Sequence, residues 1–514
     1  MMTRFCALLG FLLLVINSFA QLAEPLVGIE YSTSKKENFS GFIGESSLST
    51  YTADYIFYTK RKQELIIRSF HKGDLQLTNS KDIYSTLDDG YTNEPEEIFY
   101  NAGQFYLFSR MHSERDKTEL LALEVFNEAL DRINFQIIDT VKNDEIQYIG
   151  QAADQSGFVV AKHLRFTQLV EQEILLKQVN NQGNIAWAKT LKSPMALQNL
   201  RIENIQFSSS GQYFILCNYA FDIRTGEANV GDQMVNNKYA IWAYDRDQEF
   251  LKEFEVRLKG KWVNGIEMKI LKNQELLVAG YFNETKHQSI NGLFSIKIDK
   301  GFNVTTTSWH KFEPATLDLF FTKDNKKRVK ELDDFVIKSL EIMDDGSFYL
   351  LGEQYYKYIE RSYDPRTNVT TTTEHYNYNS IITSRFNKKG NHEWTTGVPK
   401  YQNSTNDFGY FSSFCTFNSG QDVFLIFNDN EKNNELEYTS EKGYTNLFNN
   451  RKFQISYVLL NAEGIQKRGG LIDPKNDFLL RAKLSGQINS ESIYLMTETN
   501  RSSKIIKVRL KESQ

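Results

Sequence analysis

The chain repeats itself, and that repeat limits its fold more than any other feature. "VNNQGNIAW" (Val179–Trp187) returns as "FNKKGNHEW" (Phe386–Trp394), with asparagine, glycine, asparagine and tryptophan at unchanged spacing. "LLNAEGIQ" (Leu459–Gln466) holds Asn461 and Gly464 at the same separation. "IKIDKGFN" (Ile296–Asn303) reads as a version one residue shorter, and "WAYDRDQEF" (Trp242–Phe250) as one without glycine. Apolar alternation leads into these segments, which therefore read as hairpins. An Asn or Asp side chain can bond its own backbone, and glycine can take the left-handed conformation that completes a type I turn with a bulge.

A second motif is a polar turn followed by four or five apolar residues. It occurs in "NAGQFYLFSR" (Asn101–Arg110), "QSGFVVAKH" (Gln155–His163), "SSGQYFILCN" (Ser209–Asn218), "DDGSFYLLGE" (Asp344–Glu353) and "NSGQDVFLIF" (Asn418–Phe427). "KNQELLVAGY" (Lys272–Tyr281) and "NSESIYLMTE" (Asn489–Glu498) are variants without the glycine. Such runs are expected to be strands buried on both faces. With a degenerate unit over Asp54–Ser80 they make eight four-stranded blades; seven is the rival count if the N-terminal strands only complete the last blade. The final unit ends after "SKIIKVRL" (Ser503–Leu510) and lacks an outer strand, which "LVGIEYS" (Leu26–Ser32) would supply, closing the ring. The expected fold is all-β, a β-propeller, in which radial repetition leaves only short, protected sheet edges.

These residues also resemble a known pattern. "DDGSFYLLGE" with "SRFNKKGNHEW" is similar to the repeats of exported propellers of Bacteroidota. The stretch from "GEQYYKY" (Gly352–Tyr358) through "VPKYQ" (Val398–Gln402) to "FNDNEKN" (Phe427–Asn433) resembles an uncharacterised secreted family of that phylum. The resemblance implies a fold and a compartment; it brings no activity and no catalytic residues.

The first twenty residues read as a signal peptide: Arg4, the apolar run "CALLGFLLLVINSFA", and small residues Ser18 and Ala20 before a cut at Gln21. The apolar run is shorter than the ~20 residues a membrane span needs. Residues 21–514 are then expected to form a single secreted, periplasmic or surface propeller, monomeric and without stable membrane insertion. Only 7 prolines occur in 514 residues, so no proline-rich linker divides it. The net charge of −5 argues against a nucleic-acid binder, for which a basic patch is expected. Cys217 and Cys415 lie in apolar runs and read as buried free thiols.

Candidate sites are few. The longest departure from the repeat is an arm at about 353–380, rich in tyrosine and with four consecutive threonines, Thr370–Thr373. Tyrosine offers contact area and a hydrogen bond at low entropic cost, so Tyr355, Tyr356, Tyr358, Tyr376 and Tyr378 are the candidate binding residues for a protein or glycan partner. The competing reading is a β-ribbon packed on a neighbouring blade. "FNDNEKNNELE" (Phe427–Glu437) gathers carboxylates without the glycine-bearing spacing of a calcium loop and reads as a solvated turn. The pairs Asp88–Asp89 and Asp344–Asp345 read as turn and strand-edge residues. The histidines show no zinc spacing, and no phosphate loop appears. No metal, cofactor or catalytic residue is expected. The leading expectation is a non-enzymatic binding or scaffold propeller; the alternative is a polysaccharide hydrolase or lyase with carboxylates around the central channel.

Overall fold

The computed structural model describes residues 21–32, 38–57, 63–83, 91–113, 118–142, 145–164, 170–220, 237–256, 258–285, 289–320, 331–435, 444–448, 452–472, 478–499 and 502–511. The expected signal peptide and the Asp88–Asp89 pair lie outside the described residues.

Eight antiparallel blades follow one another along the chain. Blade one comprises Asn38–Glu45, Ser49–Phe57, Gln63–His71 and Leu77–Ile83; blade two runs from Tyr91–Asn101 to Arg132–Val141. Blades three and four share one long strand, Ile185–Phe207, whose first half pairs with Val170–Asn180 and whose second half pairs with Gln212–Ala220. Blade five spans Trp262–Lys311, blade six starts at Phe335–Ile342, blade seven at Phe414–Ser419, and blade eight at Gly486–Asn489.

The ring closes as the missing outer strand requires. Leu26 and Val27 pair with Lys507 and Ile506, and Tyr31 and Ser32 with Ser503 and Ser502. The N-terminal strands thus complete blade eight, while Asn38–Ile83 forms a blade of its own, which decides for eight blades over seven.

The second strand of each blade is buried on both faces because side chains alternate between two neighbours. In blade six, Phe348 and Leu350 pack toward blade five, whereas Tyr349 and Leu351 pack toward blade seven. Eight apolar clusters result, one in each wedge between successive blades. The last joins Tyr494, Met496 and Ile505 of blade eight to Phe70 and Leu75 of blade one. Fully burying each such aromatic or aliphatic side chain contributes about 1.5–3 kcal/mol. Cys217 and Cys415 are buried free thiols within two of these clusters.

The recurring turn joins the third and outer strands. Asn180, Asn387 and Asn461 each accept a backbone N–H two residues on and another four residues on. Gly183, Gly390 and Gly464 take φ of +79°, +87° and +80°. The Ile296–Asn303 turn is not shortened as expected: Asp299 is its first residue, the amide of Phe302 bonds the Asp299 carbonyl, and Phe302 itself holds φ +58°. Blade two builds the same turn from Asn127 to Leu130 (φ +65°). The acceptor side chain defines the turn, and glycine only lowers its strain.

The two tryptophans occupy equivalent places, on outer strands against the wedge that leads to the next blade. Trp187 stacks on Tyr213 and Tyr244 of blade four at 5.3 and 5.8 Å. Trp394 packs edge-on to Tyr349 at 5.7 Å and donates Nε1–H to the Ala462 carbonyl of blade seven at 2.8 Å.

Candidate functional site

The arm is an extension of blade six in which Phe348–Asp364 pairs with Val369–Phe386 along its whole length. At its base Gln402–Thr405 adds a further strand alongside His375–Tyr378. This geometry divides the five tyrosines. Tyr376 and Tyr378 are buried, Tyr355 and Tyr356 are half-buried, and Tyr358 is 49% exposed. Tyr355 and Tyr378 lie cross-strand with ring centroids 4.6 Å apart, and Tyr358 stacks on His375 at 4.3 Å. Gly409 (φ +62°) lies so close to Tyr378 that a Cβ there would come 2.3 Å from the ring.

At the arm's base the inner ends of blades six, seven and eight surround a cavity of about 660 Å³. That volume falls within the ordinary range for ligand pockets. Its walls come from the inner strands: Lys338, Ser339 and Glu341 of blade six, Thr416 and Asn418 of blade seven, and Gln487 leading blade eight. Lys338 to Ile342 spans about 13 Å at strand rise along the blade-six wall.

The floor is a polar mesh. Glu341 accepts hydrogen bonds from Thr416 Oγ1 at 2.9 Å and Asn418 Nδ2 at 2.7 Å, and Lys269 stands 3.9 Å away. Gln487 accepts from the Asn418 amide at 2.8 Å and donates to its carbonyl at 2.9 Å, tying blade eight to blade seven. Ser339 Oγ and Asn418 Oδ1 are shielded from solvent and lack a partner among the described residues.

The end nearest the arm is basic. Glu353, fully buried at the end of the "DDGSFYLLGE" strand, pairs with Lys400 at 2.8 Å and with Lys338 at 3.3 Å, and accepts from Ser413 Oγ at 2.7 Å. Burial pushes the Lys400 ammonium below the ordinary lysine range, against the pull of Glu353. Lys483 donates to the Tyr378 hydroxyl at 3.0 Å and to the Gly409 carbonyl at 3.1 Å. Its ammonium also lies 4.5 Å from the Tyr378 ring centroid. Burial, then repulsion from Lys338, brings Lys483 down to about 8. Tyr378 joins the arm to this end of the cavity.

Several other carboxylates on the inner strands are engaged. Glu96 is 2.6 Å from Arg110, Glu267 accepts from Asn204 Nδ2 at 2.6 Å, and Glu203 is 3.4 Å from Arg201. Burial raises Glu96 and Glu97 above the usual carboxylate range.

The acidic segment at Phe427–Glu437 differs from the solvated turn expected. The second strand of blade seven runs on to Asn430 and carries Asp429 into the interior. There Asp429 meets Arg468 at 2.8 Å and accepts from Asn433 Nδ2 at 2.7 Å. Burial raises its pKa, with Arg468 opposing. Glu437 lies outside the described residues. Asp345 does act in a turn, accepting from the Ser347 amide and hydroxyl. His310 and His392, far apart in sequence, stack at 4.0 Å. Among the described residues no three His, Cys, Asp or Glu are grouped to hold a metal ion, and no helix is long and apolar enough to cross a membrane.

Sequence reasoning missed Lys338, Glu341, Lys400 and Lys483. They come from distant parts of the sequence, three from blade six and Lys483 from blade eight, and their only signal was a charged residue, Glu353, after an apolar run.

The fold and cavity define the class: an eight-bladed propeller with a polar pocket beside its channel. No protein-family model matches the chain, and no curated protein does. Solved structures similar to it include the polysaccharide lyase Uly1, at 9% identity over 94% of this chain and 100% of that one, TM-score 0.39. Another is the β-propeller domain of the trilobed protease from Pyrococcus furiosus, at 11% identity over 82% and 96%, TM-score 0.35. A third is the phage phi92 endosialidase, at 7% identity over 93% and 76%, TM-score 0.29. No function is carried across at these identities.

Proposed function

We propose that this chain is an exported binding propeller that takes a glycan into the cavity between blades six, seven and eight, with the base of the tyrosine arm as one wall. The observation that carries this reading is the cavity itself. It is walled by the polar side chains of Ser339, Glu341, Thr416, Asn418 and Gln487. A polyhydroxylated ligand supplies both donors and acceptors to such a wall; an apolar ligand would leave these groups unsatisfied. The exposed part of the arm, with Tyr358, contributes outer contacts rather than the main site.

Purified protein applied to a panel of oligosaccharides tests the proposal. Ser339→Trp, which fills the cavity, should abolish glycan capture while the melting temperature stays close to that of the parent. Tyr358→Ala should weaken capture only slightly. Loss of capture in Tyr358→Ala with full capture by Ser339→Trp would move the site to the arm and end this reading.

A further inference from the structure

The arm-side end of the cavity carries more positive charge than its neighbours balance. Three ammonium groups, Lys338, Lys400 and Lys483, surround one buried carboxylate, Glu353. Glu353 is already committed to Lys400, Lys338 and Ser413. The nearby Asp407, held by Ser404 Oγ at 2.6 Å and the Gly409 amide at 2.9 Å, attracts Lys483 without pairing with it and offsets part of the charge. Arg481 is paired with Glu498, which also accepts from Tyr410. Lys483 bonds only neutral acceptors, the Tyr378 hydroxyl and the Gly409 carbonyl, and forms no ion pair among the described residues. Lys338 and Lys483 both line the cavity.

Holding like charges together in a partly desolvated place costs free energy unless something compensates. The aromatic rings beneath them compensate in part. Lys338 lies 5.5 Å from the Tyr378 centroid and 5.9 Å from that of Tyr355, where the ring faces attract a cation. The ring does not neutralise charge. We infer that Lys338 and Lys483 form an anion clamp, and that the glycan bound in this cavity carries a carboxylate or sulfate at the end nearest the arm. The inference rests on the reading of the cavity as a glycan site and sharpens it to acidic saccharides. Charge-assisted bonds from two ammonium groups supply orientation as well as affinity.

The clamp also predicts a pH dependence. Lys338, Lys400, Arg481, Glu353, Asp407, Glu341 and Tyr378 surround or face Lys483. Among these, burial and Lys338 hold Lys483 near 8 in the free protein. A bound anion favours the protonated lysine, so affinity is full below that value and falls by roughly tenfold per pH unit above it.

Titration calorimetry with tetragalacturonate, its neutral methyl ester and inorganic sulfate provides the test. The acid should bind at least roughly tenfold more tightly than the ester at pH 7, a difference of about 1.4 kcal/mol. Sulfate should compete with the acid, and raising the pH to 9 should erase most of the preference. Lys338→Gln and Lys483→Gln should lose it, while Lys483→Arg, which keeps the charge and controls for local packing around Tyr378, should retain it. Equal binding of acid and ester, with Ser339→Trp abolishing both, overturns the clamp and leaves the glycan site standing. Binding of neither sugar counts against both. A preference for the acid that survives in both glutamine variants also overturns the clamp.

Discussion

The wedge between blades three and four and the sector from blade six to blade eight start from the same turn and tryptophan, yet they are filled in opposite ways. In the first, Trp242, Tyr213, Tyr244, Phe207 and Cys217 pack in a nearly continuous apolar cluster under Trp187. In the second, the apolar cluster under Trp394 gives way at the channel to Glu353, Lys400, Gln402, Asn428 and Ser413, all buried. These are joined by Gln402 Nε2 to the Asn428 carbonyl at 2.7 Å and Asn428 Nδ2 to the Leu480 carbonyl at 2.8 Å. Apolar burial is non-directional and suffices to stack blades anywhere around the ring. A buried ion pair repays its desolvation poorly, and one also stands in blade one between Arg68 and Asp54; the pair of Glu353 and Lys400 differs in adjoining the cavity through Lys338 and Ser413. The scaffold is uniform and the chemistry is local.

The largest expected effect tests that asymmetry. Lys400→Met leaves Glu353 buried without its closest partner and should cost about 3–5 kcal/mol in urea unfolding. Adding Glu353→Leu should restore most of the loss while weakening ligand capture. A single-variant cost below about 1 kcal/mol would mean that the pair is not truly desolvated. The next effect tests the shared scaffold. Trp187→Ala and Trp394→Ala should each cost about 2–3 kcal/mol, within about 1 kcal/mol of one another, because both rings fill the same kind of wedge. A silent substitution at either position would break the equivalence.

A smaller effect is expected from the histidine stack beside blade six. His392 is pushed down to about 4, first by burial and then by His310, from an ordinary value of 6.5. The neutral imidazole is therefore favoured on folding. Its contribution is complete above about 6.5 and is lost as pH falls through the window to about 4. Discounted for partial exposure, the loss is on the order of 1–2 kcal/mol. Denaturation midpoints at pH 7 and pH 4.5 should converge in His392→Gln; an unchanged difference would place the titrating group elsewhere. The smallest effect belongs to the arm. Tyr358→Ala should change stability by no more than about 0.5 kcal/mol, whereas the buried Tyr378 should cost several times that when truncated. Comparable costs would show that the ribbon packs throughout its length.

Much of the scaffold was legible because its causes are local. A strand buried on both faces must be apolar at successive positions, and seven such runs stood out. The outer turn was visible where glycine marked it, at Gly183, Gly390 and Gly464. It was hidden where Leu130 and Phe302 adopt the left-handed backbone, since the constant element is the Asn or Asp acceptor and not the glycine. The single strand serving blades three and four left no mark, because each half reads as an ordinary strand. The candidate site was illegible for a different reason. Lys338 and Lys400 of blade six meet Lys483 of blade eight only after the blades are stacked, and no spacing in one dimension encodes that. The arm was conspicuous by length and composition, yet the repeat's own hydrogen bonding turns Tyr376 and Tyr378 inward. Asp429 was misread likewise, because its buried partner Arg468 lies on the outer strand of the same blade.

The account turns on whether the polar sector is where a ligand sits. Crystals of the protein soaked with tetragalacturonate offer the most direct check. Density for the sugar should run along Ser339, Glu341 and Asn418, with one carboxylate between the ammonium groups of Lys338 and Lys483. Density confined to the arm around Tyr358, or to the outer faces of other blades with the cavity unchanged, would contradict it.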